Sequence, residues 1–241
     1  VRLVKGSHIM LPRLYDGAHA FILQNDDRRV VFVCPYEHHY TLIGTTDVEL
    51  QGDPGACAVD AEEIDYLCRA ANRYFVRQLR RGDVLWHYCG IRPLVDDGAA
   101  NPAAVTRDYV LHLDAADGGA PLLTVFGGKI TTYRRLAEHA LARLAPWFPQ
   151  MSAGWTEAAS LPGGTLGAAG LAQYSARLKQ RFPWLPEPLA AALARRHGSN
   201  TQEVLAGAAG SADLGQHFGA DLYAREVDYF IRREWAQTAE D

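Results

Sequence analysis

Five places in this chain carry residues suited to chemistry: a glycine turn with a lysine, three arginines set among strands, and a strand histidine. In Leu122-Leu123-Thr124-Val125-Phe126-Gly127-Gly128-Lys129 an apolar strand pattern stops at two glycines and releases a helical pattern from Thr131-Thr132-Tyr133 onward. Such a turn gathers free backbone N–H groups at one point, and the helix dipole adds positive potential there, so it suits an anion or an electron-rich oxygen. Gly127 and Gly128, lacking Cβ, let a ligand approach the backbone closely, and Lys129 adds a full charge. The same residues also fit a plain tight turn with a solvated lysine. Arg29 opens a strand, Arg92 sits in Gly90-Ile91-Arg92-Pro93, and Arg107 in Thr106-Arg107-Asp108-Tyr109. A guanidinium captures phosphate or carboxylate in a planar, bidentate fashion, the alternative for each arginine being a surface ion pair. Arg92 is the best candidate, because a charge between Ile91 and Pro93-Leu94-Val95 needs a reason. His8 lies in an otherwise apolar strand. An imidazole titrates near neutral pH, which suits a general base, although a lone strand histidine is usually a satisfied core or surface residue.

Two signatures are missing. No two glycines stand two positions apart, so the Gly-x-Gly-x-x-Gly pyrophosphate turn of a Rossmann unit is absent. Any dinucleotide must keep its pyrophosphate outside this chain, and FAD is not expected to stay on residues 1–241 alone. Cys34, Cys57, Cys68 and Cys89 form no Cys-x-x-Cys pair and no zinc spacing. They read as reduced, mostly buried thiols, and no metal site is expected.

The elements that must position these residues form an α+β chain. Arg2–Leu11, Ala18–Gln24, Val30–Cys34 and Tyr40–Thr46 read as strands of an antiparallel or mixed meander, with a polar hairpin turn at Asn25-Asp26-Asp27-Arg28. Asp60, with Glu63 three residues later, has capping-box spacing. Ile64, Leu67, Cys68, Ala71, Phe75 and Leu79 then share one helical face as far as Arg80-Arg81-Gly82-Asp83. Val84–Ile91 and Tyr109–Leu113 are further strands, and Asp114–Gly119 is a turn. The helix after the glycine turn runs to about Leu144, stopped by Pro146. Beyond Met151 alanine, leucine and arginine dominate. Helical patterns cover Leu171–Phe182, Pro186–Arg196, Gln202–Ala209 and Asp221–Ala236. A sheet domain with flanking helices over residues 1–150 and an all-helical domain over 155–241 are therefore expected.

Bulk properties narrow the classes. Apolar residues make up 48% and charged residues 22% of 241, an ordinary globular balance. A net charge of -4 gives no global basic field for a nucleic-acid partner. No run approaches the ~18 apolar residues of a membrane span. With no initiator methionine and no signal layout, the chain is expected to begin inside a longer gene product.

Gly6-Ser7-His8, Ile43-Gly44-Thr45-Thr46-Asp47, Gly90-Ile91-Arg92-Pro93-Leu94, Thr106-Arg107-Asp108-Tyr109 and Phe126-Gly127-Gly128-Lys129-Ile130-Thr131-Thr132-Tyr133-Arg134 together resemble the aerobic, respiratory FAD-dependent glycerol-3-phosphate dehydrogenases. The resemblance continues through Leu161-Pro162-Gly163-Gly164 and Asp213-Leu214-Gly215, with the Phe-Gly-Gly-Lys run its most specific part. It implies oxidation of glycerol 3-phosphate to dihydroxyacetone phosphate, with electrons passed to quinone. It also implies a cytoplasmic location at the inner face of the membrane, peripherally attached, with homodimer formation open. By resemblance His8 and Arg92 fall at catalytic positions, and Arg29, Arg92, Arg107 and Lys129 at substrate-binding ones. Gly127, Gly128, Lys129, Ile130 and Thr131 would lie beside the flavin pyrimidine ring. The N-terminal Rossmann unit is absent from these residues, and the helical domain looks shorter than in the family. The alternatives are an FAD oxidase or dehydrogenase of another amine or hydroxy acid, which would carry a carboxylate clamp, and a non-catalytic anion- or partner-binding module.

Overall fold

In the computed structural model an eleven-residue strand, β1 (Arg2–Pro12), is the axis of the first half of the chain. Residues 1–96, 106–115, 119–168 and 170–239 are described, and the chain divides into two units, Val1–Gly154 and Trp155–Asp241. Strands β2 (Phe21–Gln24), β3 (Val30–Tyr36), β4 (Tyr40–Gly44), β5 (Val48–Glu49) and β6 (Trp86–Leu94) complete a six-stranded sheet around β1. Every pairing in it is antiparallel: β4 and β5 follow one edge of β1, and β6 takes the other.

Successive side chains of a strand alternate between faces. Ser7, Ile9 and Leu11 are buried on one face, where Val31, Val33 and Ile43 join them against helix α1 (Ala61–Asn72). The opposite face carries a cross-strand row of Phe32, Gly44, His8 and Tyr88. Helix α1 opens on the expected capping box: Asp60 accepts from the Glu63 N–H at 2.9 Å, and Glu63 accepts from the Asp60 N–H at 3.2 Å. The helix stops at Asn72, short of the expected end. Asn72 takes the Leu79 N–H at 2.7 Å and donates to the Leu79 carbonyl at 2.9 Å, folding the chain back so that Leu79 still enters the core.

After β6 comes a hairpin of β7 (Tyr109–Asp114) and β8 (Leu122–Gly127). The turn expected over Asp114–Gly119 lies partly outside the described residues. A 3₁₀ turn (Ile130–Thr132) then leads into α2 (Tyr133–Leu144). The expectation of reduced thiols is corrected at one pair: Cys57 and Cys89 form a disulfide, while Cys34 and Cys68 are free. Strand β6 carries Cys89 back to the loop that precedes α1, a proximity no linear spacing signals.

The second unit contains α3 (Gly170–Arg181), α4 (Glu187–His197), the single turn α5 (Thr201–Val204) and α6 (Ala224–Tyr229), which continues as a π-turn over Phe230–Glu234. Its core gathers Leu185, Leu189, Leu193, Leu205 and Tyr229. Into it Glu226 is buried with His197 and Arg196 on its carboxylate. The unit is not purely helical. Strands β9 (His217–Gly219) and β10 (Leu222–Tyr223) make a small hairpin, turned by Ala220 and Asp221 at φ 46° and 62°. Two left-handed residues in a two-residue loop match strand twist, and a helical reading of the sequence hides them.

Candidate active site

Two glycines on the open face of the sheet make room for the functional side chains. Arg92 stands opposite Val4 on β6, and its guanidinium crosses β1 above Gly6. A Cβ at Gly6 would collide with both terminal nitrogens of Arg92 and with the Thr45 hydroxyl. From there Nη2 donates to Thr45 Oγ1 at 3.0 Å, and Nη1 to Asp47 Oδ1 at 3.2 Å and the Thr46 carbonyl at 3.4 Å. Burial lowers the Arg92 pKa, Asp47 opposes that and Arg107 adds to it. A guanidinium nevertheless stays charged.

Arg107, just before β7, donates from Nη2 to the same Asp47 oxygen at 3.0 Å. Both arginines border a cleft of about 360 Å³ that is also lined by Gly128 and Lys129. Gly127 and Gly128 have φ of 69° and 96°, a left-handed backbone that a side chain would strain. Their turn brings Lys129 alongside β6. The 3₁₀ turn separates Lys129 from α2. Its first bond runs from the Thr132 N–H to the Lys129 carbonyl, so the Ile130 and Thr131 amides lie ahead of it. Ile130 is 88% exposed, an apolar side chain presented at the mouth of the turn.

His8 lies two residues from Gly6 on the same face, stacked on Tyr88. Burial, then the Arg92 charge, holds its pKa below the ordinary value. The Gly6 carbonyl pulls the other way without reaching hydrogen-bond geometry at Nδ1, which is buried with no partner, and burial prevails. The ring is therefore neutral near pH 7 and uncommitted.

Arg29 is placed elsewhere. It pairs with Asp27 at 2.6 Å and lies 3.9 Å over the Tyr66 ring, and it does not line the cleft. Local geometry explains this: Asp27 and Arg29 close one hairpin turn, and α1 offers Tyr66 as a platform. Burial raises the Tyr66 pKa to about 12 despite the Arg29 charge. Arg92, Arg107, Gly128 and Lys129 thus meet at one cleft, with His8 on the adjoining sheet face and Gly127, Ile130 and Thr131 in the flanking turn.

Sequence reasoning missed the support. Behind the cleft, Glu63 accepts from Ser7 Oγ at 2.9 Å and Thr46 Oγ1 at 2.7 Å, and pairs with Lys5 at 2.7 Å, all four residues being buried. Asp47 was visible only within a motif. Its signal was a carboxylate beside two threonines, where two arginines needed a counter-charge. No group of side chains able to hold a metal occurs among the described residues.

An antiparallel sheet whose open face carries a neutral histidine and clustered guanidinium groups, joined to a glycine turn, suits an anionic ligand. The sequence matches the FAD dependent oxidoreductase family over residues 1–134, and the chain belongs to that family. Residues 155–241 match the C-terminal domain of alpha-glycerophosphate oxidase. Over its whole length the chain is 52% identical to D-erythritol 1-phosphate dehydrogenase of Brucella abortus, covering 48% of that protein. It is 50% identical to glycerol-3-phosphate dehydrogenase of Pseudomonas aeruginosa, covering 47% of it, and 47% identical to aerobic glycerol-3-phosphate dehydrogenase of Escherichia coli, covering 48%. The solved glycerol-3-phosphate dehydrogenase of Bacillus halodurans, complexed with FAD, superposes with a TM-score of 0.77 at 26% identity, over all of this chain and 47% of that one. The chain thus spans about half the length of the curated relatives it matches.

Proposed function

We propose that the full-length protein oxidises sn-glycerol 3-phosphate to dihydroxyacetone phosphate with FAD and passes the electrons to quinone. The observation that carries this reading is the convergence of Arg92 and Arg107 on one Asp47 oxygen, with Lys129 across the same cleft. Fixed guanidinium groups suit a phosphate, and relatives at 50% and 47% identity are glycerol-3-phosphate dehydrogenases.

The residues present fit one edge of FAD. Gly127 and Gly128 turn the chain through left-handed backbone, with no Cβ to press on the Asp108 carbonyl or on Tyr109. Lys129 and the Ile130 and Thr131 amides would hold an electron-rich oxygen there. When bound, FAD supplies the two-electron acceptor for the carbon-bound hydrogen of the alcohol. Arg92 and Arg107 hold the phosphate, fixing the remaining carbons over the sheet. His8, neutral near pH 7, accepts the hydroxyl proton as the carbonyl forms, and the Arg92 charge favours oxygen's developing negative charge.

A second reading has its own support. The 52% identical relative acts on D-erythritol 1-phosphate, a polyol phosphate one carbon longer. Peripheral attachment at the inner face of the cytoplasmic membrane, and quinone as acceptor, belong to the same proposal. No helix of the described residues is long and apolar enough to cross a membrane. Anaerobic mixing of the full-length, FAD-loaded protein with glycerol 3-phosphate tests the reading. Bleaching of the oxidised flavin band supports it, faster bleaching by D-erythritol 1-phosphate selects the second reading, and no bleaching by either overturns both.

A further inference from the structure

We propose that Asp47 is the positioning residue that sets the Arg92–Arg107 pair for a phosphate dianion, an inference resting on the function proposed above. Its Oδ1 accepts from both guanidinium groups, at 3.2 and 3.0 Å, and its side chain is only 11% exposed. The two arginines come from different elements, β6 and the segment before β7, and Asp47 touches both. A single oxygen between two cations fixes their separation and offsets their repulsion beside the cleft that both line.

Asp47 is itself held from behind. Its neighbour Thr46 donates to Glu63 at 2.7 Å and accepts the Ser7 N–H at 2.9 Å, and Glu63 is paired with Lys5. Ser7, Thr46 and Glu63 are almost fully buried, so the segment that presents Asp47 is tied to both β1 and α1. A mere counter-charge would weaken anion binding, whereas a positioning carboxylate strengthens it. The two roles have opposite signs.

The test compares Asp47→Asn and Asp47→Glu with the wild type in full-length, FAD-loaded protein. It reads kcat and KM for glycerol 3-phosphate, and the Kd of inorganic phosphate by calorimetry on the oxidised protein. Asp47→Asn should raise both KM and the phosphate Kd about tenfold or more, with a smaller change in kcat. Asp47→Glu keeps the charge and moves the carboxylate by one methylene, and should fall between. Tighter or unchanged phosphate binding in Asp47→Asn, or wild-type values in Asp47→Glu, would overturn the positioning role. If the wild type oxidises neither polyol phosphate, the functional reading fails, while the phosphate Kd values still decide on Asp47.

Discussion

The His8 imidazole lies parallel to the Tyr88 ring, with centroids 4.8 Å apart and planes 3° apart. On the other neighbouring strand stands Gly44, where a Cβ would overlap the imidazole itself. His8 is therefore seated within the sheet row by an aromatic on one side and a missing side chain on the other. Gly6 does the same for Arg92.

Gly44→Ala should consequently displace His8, and Gly6→Ala should displace Arg92. Overpacking of this kind costs about 1–3 kcal/mol of stability. The kinetic signatures should differ: Gly44→Ala should lower kcat more than it raises KM, and Gly6→Ala should chiefly raise KM. Steady-state kinetics and thermal melts on the full-length protein check both, and identical kinetic patterns would separate neither residue from general packing.

The His8 pKa lies below its ordinary value because of burial and then the Arg92 charge. A base with a lowered pKa is neutral, hence active, until the pH falls below that pKa. The acid limb of kcat/KM should accordingly lie below pH ~6.5. The second ionisation of a phosphate monoester falls near pH ~6, in the same window. His8→Gln therefore decides: it should cut kcat by roughly 10²–10⁴ and leave only the substrate limb. An unchanged profile would remove His8 from the chemistry.

Lys129 lines the cleft and is exposed at the turn. A fixed cation beside the pyrimidine edge favours the reduced, more negative flavin. Lys129→Met should lower the flavin midpoint potential of the full-length protein and slow reduction by substrate, with oxidised FAD still bound. A redox titration with an unchanged midpoint would show a solvated lysine.

In the second unit, burial alone would raise the Glu226 pKa, but hydrogen bonds from His197 and Arg196 outweigh it and the carboxyl titrates below its ordinary value. Its stabilising contribution is thus complete above pH ~4.3 and disappears as pH falls through the lower folded-state value. Glu226→Gln should cost roughly 3 kcal/mol at pH 7, the low end for a buried pair because Arg196 is 32% exposed. Denaturant unfolding at pH 7 and pH 3.5 should show the gap between wild type and variant narrowing in acid; a constant gap would contradict the pairing.

Legibility in the sequence followed distance along the chain. The Asp60–Glu63 capping box, the strand from Arg2 to Leu11 and the Gly127-Gly128-Lys129 turn are local, and each is where its pattern places it. Glu63 shows the limit: its cap was readable, whereas its bonds to Ser7 and Thr46 span 56 and 17 residues and left no periodic trace. The Cys57–Cys89 bond and the shared Asp47 oxygen are likewise products of tertiary folding. Arg29 lies apart from the cleft, and in sequence an arginine opening a strand looks the same whether it meets a ligand or a hairpin aspartate.

Phosphate capture by Arg92 and Arg107 is most directly tested by KM in the full-length, FAD-loaded protein. Losing a charge-assisted pair costs roughly 1.5–3 kcal/mol, about one to two decades in affinity. Arg92→Ala and Arg107→Ala should each raise KM for glycerol 3-phosphate by that factor, while the weak oxidation of unphosphorylated glycerol keeps its KM. Equal loss for both substrates would contradict phosphate capture and make these arginines structural.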